Sequence, residues 1–235
     1  MKTAFDISKH RNVMLRILKD VYTHPLLGAC LGFKGGTAAY LFYQLNRFSV
    51  DLDFDLLDPA KEDAVFSEMQ NLLQQYGQLK DSAKKRFSLF FMLSYEGKVS
   101  NTQNVKIEVN RRASTSQYQL KSYLGISMLV MAQGDMAAHK LMAMSERLHK
   151  ANRDIYDAWF FLHHGWPINR DIITQRAKQT YPAFIAKCVA LLKKKSSKHL
   201  LAGMGELLND KQKIWVKTHL LPEVIFLLKL QRDGR

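Results

Sequence analysis

At 235 residues, 47% of them hydrophobic, the chain is long enough for one large domain or two small ones and needs no disulfide staples to form a core. Its 35 Lys and Arg against 21 Asp and Glu leave a formal charge of +14, a field that attracts polyanions such as nucleic acid or nucleotides. Only two cysteines occur, Cys30 and Cys188, both among apolar neighbours, which argues for buried thiols in a reducing compartment and against a disulfide scaffold.

From Asp6 to Tyr22 the apolar residues Val13, Met14, Ile17, Leu18 and Val21 recur at helical spacing, and Pro25 closes the segment. Charges at Lys2, Asp6, Lys9, Arg11, Arg16 and Lys19 leave no room for an apolar signal core. No later stretch approaches the roughly twenty uncharged apolar residues of a membrane span, so a soluble cytoplasmic protein without a membrane partner is expected. Leu27 to Phe33 reads as a strand or extended approach to a tight turn at Lys34-Gly35-Gly36, and Thr37 to Leu45 as a helix capped by Thr37. Val50 to Leu57 alternates strictly. Asp51, Asp53 and Asp55 face one way, while Leu52, Phe54 and Leu56 face the other.

Asp58-Pro59 opens a helix to about Tyr76, with Val65, Phe66, Met69, Leu72 and Leu73 as its apolar stripe. Strands follow at Arg86 to Tyr95, Val105 to Asn110, Tyr118 to Leu124 and Ile126 to Ala132, punctuated by Glu96-Gly97-Lys98 and the polar run Arg111 to Ser116. Beyond Gly134 the pattern becomes helical, with amphipathic segments at Met136 to Lys150 and Asp154 to His164 and further helix to Leu230, broken at Pro167, Pro182 and Pro222. The expected architecture is α+β, with a mixed-sheet domain over residues 1–133 followed by a helical bundle over 134–235.

Three aspartates on one face of a strand disfavour β structure and repel one another, so they need compensation. Residues i and i+2 lie about 7 Å apart on the same face, near enough for both carboxylates to reach one divalent ion or a pair. A charged edge strand that resists aggregation has the same appearance. The adjacent glycines of Lys34-Gly35-Gly36-Thr37 let backbone N–H groups approach a phosphate, although most Gly-Gly turns are only turns. Glu108, in Lys106-Ile107-Glu108-Val109, adds a third carboxylate on a strand. His139, His149, His163 and His164 have no cysteine at ligand spacing, which argues against zinc.

The order Phe33-Lys34-Gly35-Gly36-Thr37-Ala38, Asn46-Arg47-Phe48-Ser49-Val50-Asp51-Leu52-Asp53-Phe54 and Lys106-Ile107-Glu108-Val109 resembles the signature of DNA polymerase β-like nucleotidyltransferases. Within them it resembles the AbiEii/AbiGii-type toxins of bacterial toxin–antitoxin pairs. The likeness continues into Lys140-Leu141-x-Ala143 and Arg153-Asp154-x-x-Asp157, spanning roughly residues 30 to 162. The stretch from Gly36 to Asp51 is longer than in the minimal superfamily motif. The resemblance implies a metal-dependent transfer of nucleotides from an NTP to an RNA acceptor such as the tRNA 3′ end, with Mg2+ or Mn2+ held by Asp51, Asp53 and Glu108. It further implies nucleotide contacts from Lys34, Gly35, Gly36, Thr37, Arg47 and Lys140, with Gly36 and Thr37 at the β- and γ-phosphates. At least one of Asp154 and Asp157 would face the site, and a cognate antitoxin would be a partner. Asp55 has no matching family role and is expected to be structural. Arg47, Arg147 and Arg153 suit either phosphate or these acids. A small-molecule acceptor would keep the enzyme but favour an acidic cleft, against the +14 charge. A non-catalytic nucleic-acid-binding module would need no metal.

Overall fold

The computed structural model describes residues 6–95, 103–113 and 115–232; the expected turn at Glu96-Gly97-Lys98, and Ser114 within the polar run, lie outside them. The chain divides into two compact units. One comprises residues 1–44 and 49–131, and the other Leu45–Phe48 with Ala132–Arg235.

The first unit opens with helix α1 (Ile7–Thr23), capped by the Asp6 carboxylate on the Lys9 amide. Helix α2 (Pro25–Cys30) follows, with Pro25 in its first turn and the His24 side chain as cap. Strand β1 (Leu31–Lys34) runs directly into α3 (Gly35–Phe42), and then come β2 (Asp51–Leu56), a short 3-10 turn at Pro59–Lys61 and α4 (Glu62–Gln74). Five strands complete the unit: β3 (Gln78–Lys84), β4 (Ser88–Ser94), β5 (Asn104–Asn110), β6 (Tyr118–Tyr123) and β7 (Ile126–Met131).

The seven strands form one mixed sheet in the order β3-β4-β5-β2-β1-β7-β6. β2 pairs parallel to β5 and β1 parallel to β7, while the other neighbours are antiparallel. Because side chains alternate along each strand, register assigns the two faces. One face is the core: Leu31 and Phe33, Leu52 and Phe54, Leu89 and Phe91, Val105, Ile107 and Val109, and Val130 are all fully buried. Aromatic contacts tie that face together, with Phe33 and Phe54 rings 5.4 Å apart and Phe66 of α4 5.2 Å from Phe91. The other face carries the polar partners. Side by side in register stand Asp51 with Lys106, Asp53 with Glu108, and Asp55 with Asn110.

The second unit is helical: α5 (Gln133–Glu146), α6 (Asn152–His163), α7 (Arg170–Ala177), α8 (Tyr181–Lys193), α9 (Asp210–Thr218) and α10 (Leu220–Arg232). α6 and α8 both pack on α10, and α5 packs on α6 and α7. The α+β class and the helical C-terminal half agree with the sequence expectation.

Four local expectations are corrected. The apolar run from Leu27 is helix up to Cys30 and strand only from Leu31, because Pro25 and the His24 cap start a helical turn there. α3 begins at Gly35 rather than at Thr37, with Lys34 in the capping position. Glu62, not Pro59, starts α4. Pro182 and Pro222 fall in the first turns of α8 and α10, where the amide they lack has no helical partner, so they begin helices instead of breaking them.

Candidate active site

The open face of the sheet carries three rows of side chains across β5, β2 and β1. In the middle row Glu108, Asp53 and Lys34 are successive register partners, flanked by Phe90 on β4. Like charges directly opposite one another weaken a sheet, and strands lie only about 4.8 Å apart, so the Asp53–Glu108 pair is an electrostatic liability unless a cation accompanies it. Lys106 is the cation the protein itself supplies. Its Nζ lies 3.3 Å from Glu108 Oε2 and 3.7 Å from Asp51 Oδ2. Burial alone would depress the ammonium's pKa, but Asp51, Asp53 and Glu108 outweigh it and hold the group above its ordinary value. For Glu108 burial opposes ionisation, yet the Ser88 hydroxyl and the Lys106 ammonium prevail and keep its carboxyl below the usual range. Both groups are therefore charged near neutrality.

Gly35 closes the row from the side of β1. Its φ of +80° lies in the left-handed region, and a Cβ there would stand 2.4 Å from Asp53 Oδ2, so only glycine lets the backbone pass so close to that carboxylate. Gly36 and Thr37 are the next two residues of α3, both buried. The first amides of a helix have no partner within it and point out of its N-terminus, the arrangement that binds phosphate. The Thr37 hydroxyl donates to the Asp51 carbonyl at 2.5 Å and so ties this turn to the start of β2. That side chain acts on the protein backbone, not as the helix cap expected from sequence.

Asp55 differs from its two neighbours. It is buried, and it accepts from Lys34 Nζ at 2.5 Å, from Asn110 Nδ2 at 2.6 Å and from the Tyr118 hydroxyl. Gly32, its partner on β1, leaves the space the Tyr118 ring occupies, since a Cβ there would meet that ring at 2.2 Å. Asp55 thus joins β1, β5 and β6 beneath the site, in keeping with a structural role. Lys34, expected at a nucleotide, reaches Asp55 instead.

The remaining residues named from sequence gather within the helical unit. Arg47 is buried and grips Asp157 with two bonds, Nε to Oδ1 at 2.6 Å and Nη2 to Oδ2 at 2.7 Å, while Nη1 donates to the Phe48 carbonyl at 2.9 Å. Lys140 lies 2.8 Å from Asp157 and 3.1 Å from Asp154, and Arg147 lies 2.8 Å from the other Asp154 oxygen. Burial would raise the Asp157 carboxyl, but Arg47 and Lys140 pull it down to about 2. Burial would lower Lys140, and the two aspartates hold it high. Between phosphate and carboxylate as the partner of Arg47 and Arg147, the structure gives carboxylate. Sequence reasoning missed Lys106, although its two-residue spacing from Glu108 in a strand assigns it to the same face.

Among the described residues no three His, Cys, Asp or Glu side chains form a ready-made metal cage. The donors at hand nevertheless suit a hard divalent cation, being carboxylate oxygens on a rigid sheet with two of them paired like to like.

Residues 16–215 match the profile of the nucleotidyl transferase AbiEii toxins, described as belonging to type IV toxin–antitoxin systems. The chain belongs to this family. It is accordingly a nucleotidyltransferase of the toxin type. No curated protein sequence matches it. Among solved structures it is similar to a candidate nucleotidyltransferase from H. pylori, at 20% identity and a TM-score of 0.63 over 97% of this chain and 95% of that one. It is also similar to JHP933 from Helicobacter pylori, at 18% and 0.61 over 99% and 94%. A third is MenT4, a nucleotidyltransferase toxin from Mycobacterium tuberculosis, at 17% and 0.59 over 98% and 86%. At these identities the likeness speaks for the fold. No helix among the described residues is long and apolar enough to cross a membrane.

Proposed function

We propose that this family member transfers a nucleotide from an NTP to an RNA acceptor, with the tRNA 3′ end as the leading candidate, and thereby acts as a cytoplasmic toxin restrained by a cognate antitoxin. The observation that carries the reading is the in-register pairing of Asp53 with Glu108 beside Gly35. Two acids held side by side against the start of a helix have little structural value, whereas they suit metal-assisted phosphoryl chemistry.

In this reading Asp51, Asp53 and Glu108 hold Mg2+ or Mn2+, which when bound neutralises the triphosphate and acidifies the acceptor hydroxyl. The amides of Gly35, Gly36 and Thr37 receive the phosphates at the N-terminus of α3. Thr37, through the Asp51 carbonyl, keeps that turn in step with the carboxylate strand. Glu108, ionised near neutrality, accepts the hydrogen bond of the acceptor hydroxyl and orients it. The acceptor hydroxyl gives its proton to the Glu108 carboxylate as its oxygen forms a bond to the α-phosphorus, the bond from that phosphorus to the bridging oxygen breaks, and pyrophosphate leaves. The choice of RNA rests on the charge of +14 and on the family. The Arg47–Lys140–Asp154–Asp157 cluster enters as the frame of the helical unit.

The test incubates the protein with each labelled NTP, magnesium and total RNA, beside the Asp53→Ala variant. Label entering RNA with the wild type alone supports the reading. Label on a small molecule would move the acceptor, and no label with any NTP or acceptor would refute the transfer proposed here.

A further inference from the structure

Four charged side chains share one half-buried face of β2 and β5: Asp51, Asp53, Glu108 and Lys106. Three are anions, and the only cation in the group comes from the same strand as Glu108, two residues before it. Register places Lys106 directly beside Asp51 and on the diagonal from Asp53. The ammonium lies 3.3 Å from one of the carboxylates that would ligate a metal and 3.7 Å from another. Its side chain is about a quarter exposed, at 27%, which leaves it an outlet to solvent. Arg47, Lys140 and Arg147 are paired with Asp154 and Asp157 in the other unit. Lys34 is engaged with Asp55 and Lys85 lies over the ring of Phe90 beside Glu108, which leaves Lys106 as the cation that reaches both Asp51 and Glu108.

An ammonium and a divalent ion cannot occupy the same carboxylate oxygens. With both present, the positive charges would stand a few ångströms apart in a partly desolvated place, where repulsion is strong. We propose that Lys106 is a resident counter-cation that competes with the divalent ion for Asp51 and Glu108. It keeps the carboxylates together in the metal-free protein, and it must swing away before the ion seats. The inference deepens the metal-dependent reading above and rests on it. Lys106 is thereby a positioning residue, setting how tightly the empty enzyme holds metal and releasing its charge toward incoming phosphate when the ion arrives.

The experiment is a titration of the full chain with Mn2+ alone, no nucleotide, read by loss of the free-ion electron paramagnetic resonance signal, with thermal unfolding of each metal-free variant alongside. Lys106→Met keeps the stem and removes the charge; Lys106→Arg keeps the charge. Competition predicts that Lys106→Met binds Mn2+ roughly tenfold or more tightly than wild type, a gain that the repulsion removed readily accommodates. It also predicts a lower melting temperature without metal, recovered on adding Mn2+, and wild-type-like values for Lys106→Arg. Adding Asp53→Asn to Lys106→Met should abolish the gain. Equal or weaker Mn2+ binding by a folded Lys106→Met, or a gain that survives Asp53→Asn, would overturn the competition and leave the metal-dependent reading standing. Absence of Mn2+ binding in both wild type and Lys106→Met would overturn the two together.

Discussion

Replacing Asp157 with asparagine tests charges that are closed off from solvent. Arg47 and Asp157 share two short hydrogen bonds in a site that is 3% exposed at the arginine and closed to solvent at the aspartate, and Lys140 adds a third contact. After Asp157→Asn, Arg47 and Lys140 keep their charges, while Asp154 alone remains to face them together with Arg147. Breaking a buried pair from one side costs about 3–5 kcal/mol, because the surviving charge is left without its partner. All three tryptophans, Trp159, Trp166 and Trp215, belong to the helical unit, so tryptophan fluorescence in urea reports on that unit. With a slope of about 2 kcal/mol per molar for a unit of this size, the midpoint should fall by about 1.5–2.5 M. The double change Arg47→Met with Asp157→Leu should recover much of the loss, since an apolar pair needs no compensation. A shift of less than about 0.5 M for Asp157→Asn would mean that the two side chains are not held as described. The same measurement is needed before any loss of transfer in this variant is read as chemistry.

Three further outcomes are expected. Because the Asp157 carboxyl is held at about 2, below its unfolded value near 3.9, its contribution of about 2–3 kcal/mol is complete above about pH 5 and is lost as pH falls through about 2; the acid-unfolding midpoint followed by tryptophan fluorescence should move in Asp157→Asn, and an unchanged midpoint would contradict this. Asp53→Asn should abolish transfer with unfolding unchanged or slightly later, as it removes repulsion, whereas Asp55→Asn should lower stability by about 1–3 kcal/mol by leaving its donors poorly matched; circular dichroism melts showing the reverse order would exchange the roles given to the two residues. Gly35→Ala should lose nucleotide binding by at least tenfold, since the left-handed backbone costs about 1 kcal/mol and the new methyl displaces Asp53; near-normal binding in a calorimetric titration would refute the close approach.

The carboxylate face was legible from sequence because a strand's alternation is strict: once Leu52, Phe54 and Leu56 are buried, Asp51, Asp53 and Asp55 have one direction left. Their partner Glu108 was legible as a residue type, but its register beside Asp53 is a tertiary fact. Strand β3 escaped notice because Gln78-Leu79-Lys80-Asp81-Ser82-Ala83-Lys84 is an exposed edge strand with an irregularity between Leu79 and Asp81, so it carries no apolar alternation. The apolar run before Phe33 misled for the opposite reason, being short enough to suit a helix or a strand. The Arg47–Asp157 clamp joins positions 110 residues apart, and nothing local distinguishes an arginine bound for phosphate from one bound for carboxylate.

Because Leu45–Phe48 is folded into the helical unit while the residues on either side belong to the sheet-containing unit, the chain passes between the units three times, not once. A gene truncated to begin at Ala132 would therefore encode helices whose Asp157 lacks its arginine, whose Tyr156 hydroxyl lacks Asn46 and whose Gln212 lacks the Asn46 carbonyl. Neither unit is one continuous stretch of chain, so neither can be shuffled between proteins as a cassette. A graft that carries the Leu45–Phe48 segment along with the sheet has to supply a buried carboxylate for Arg47.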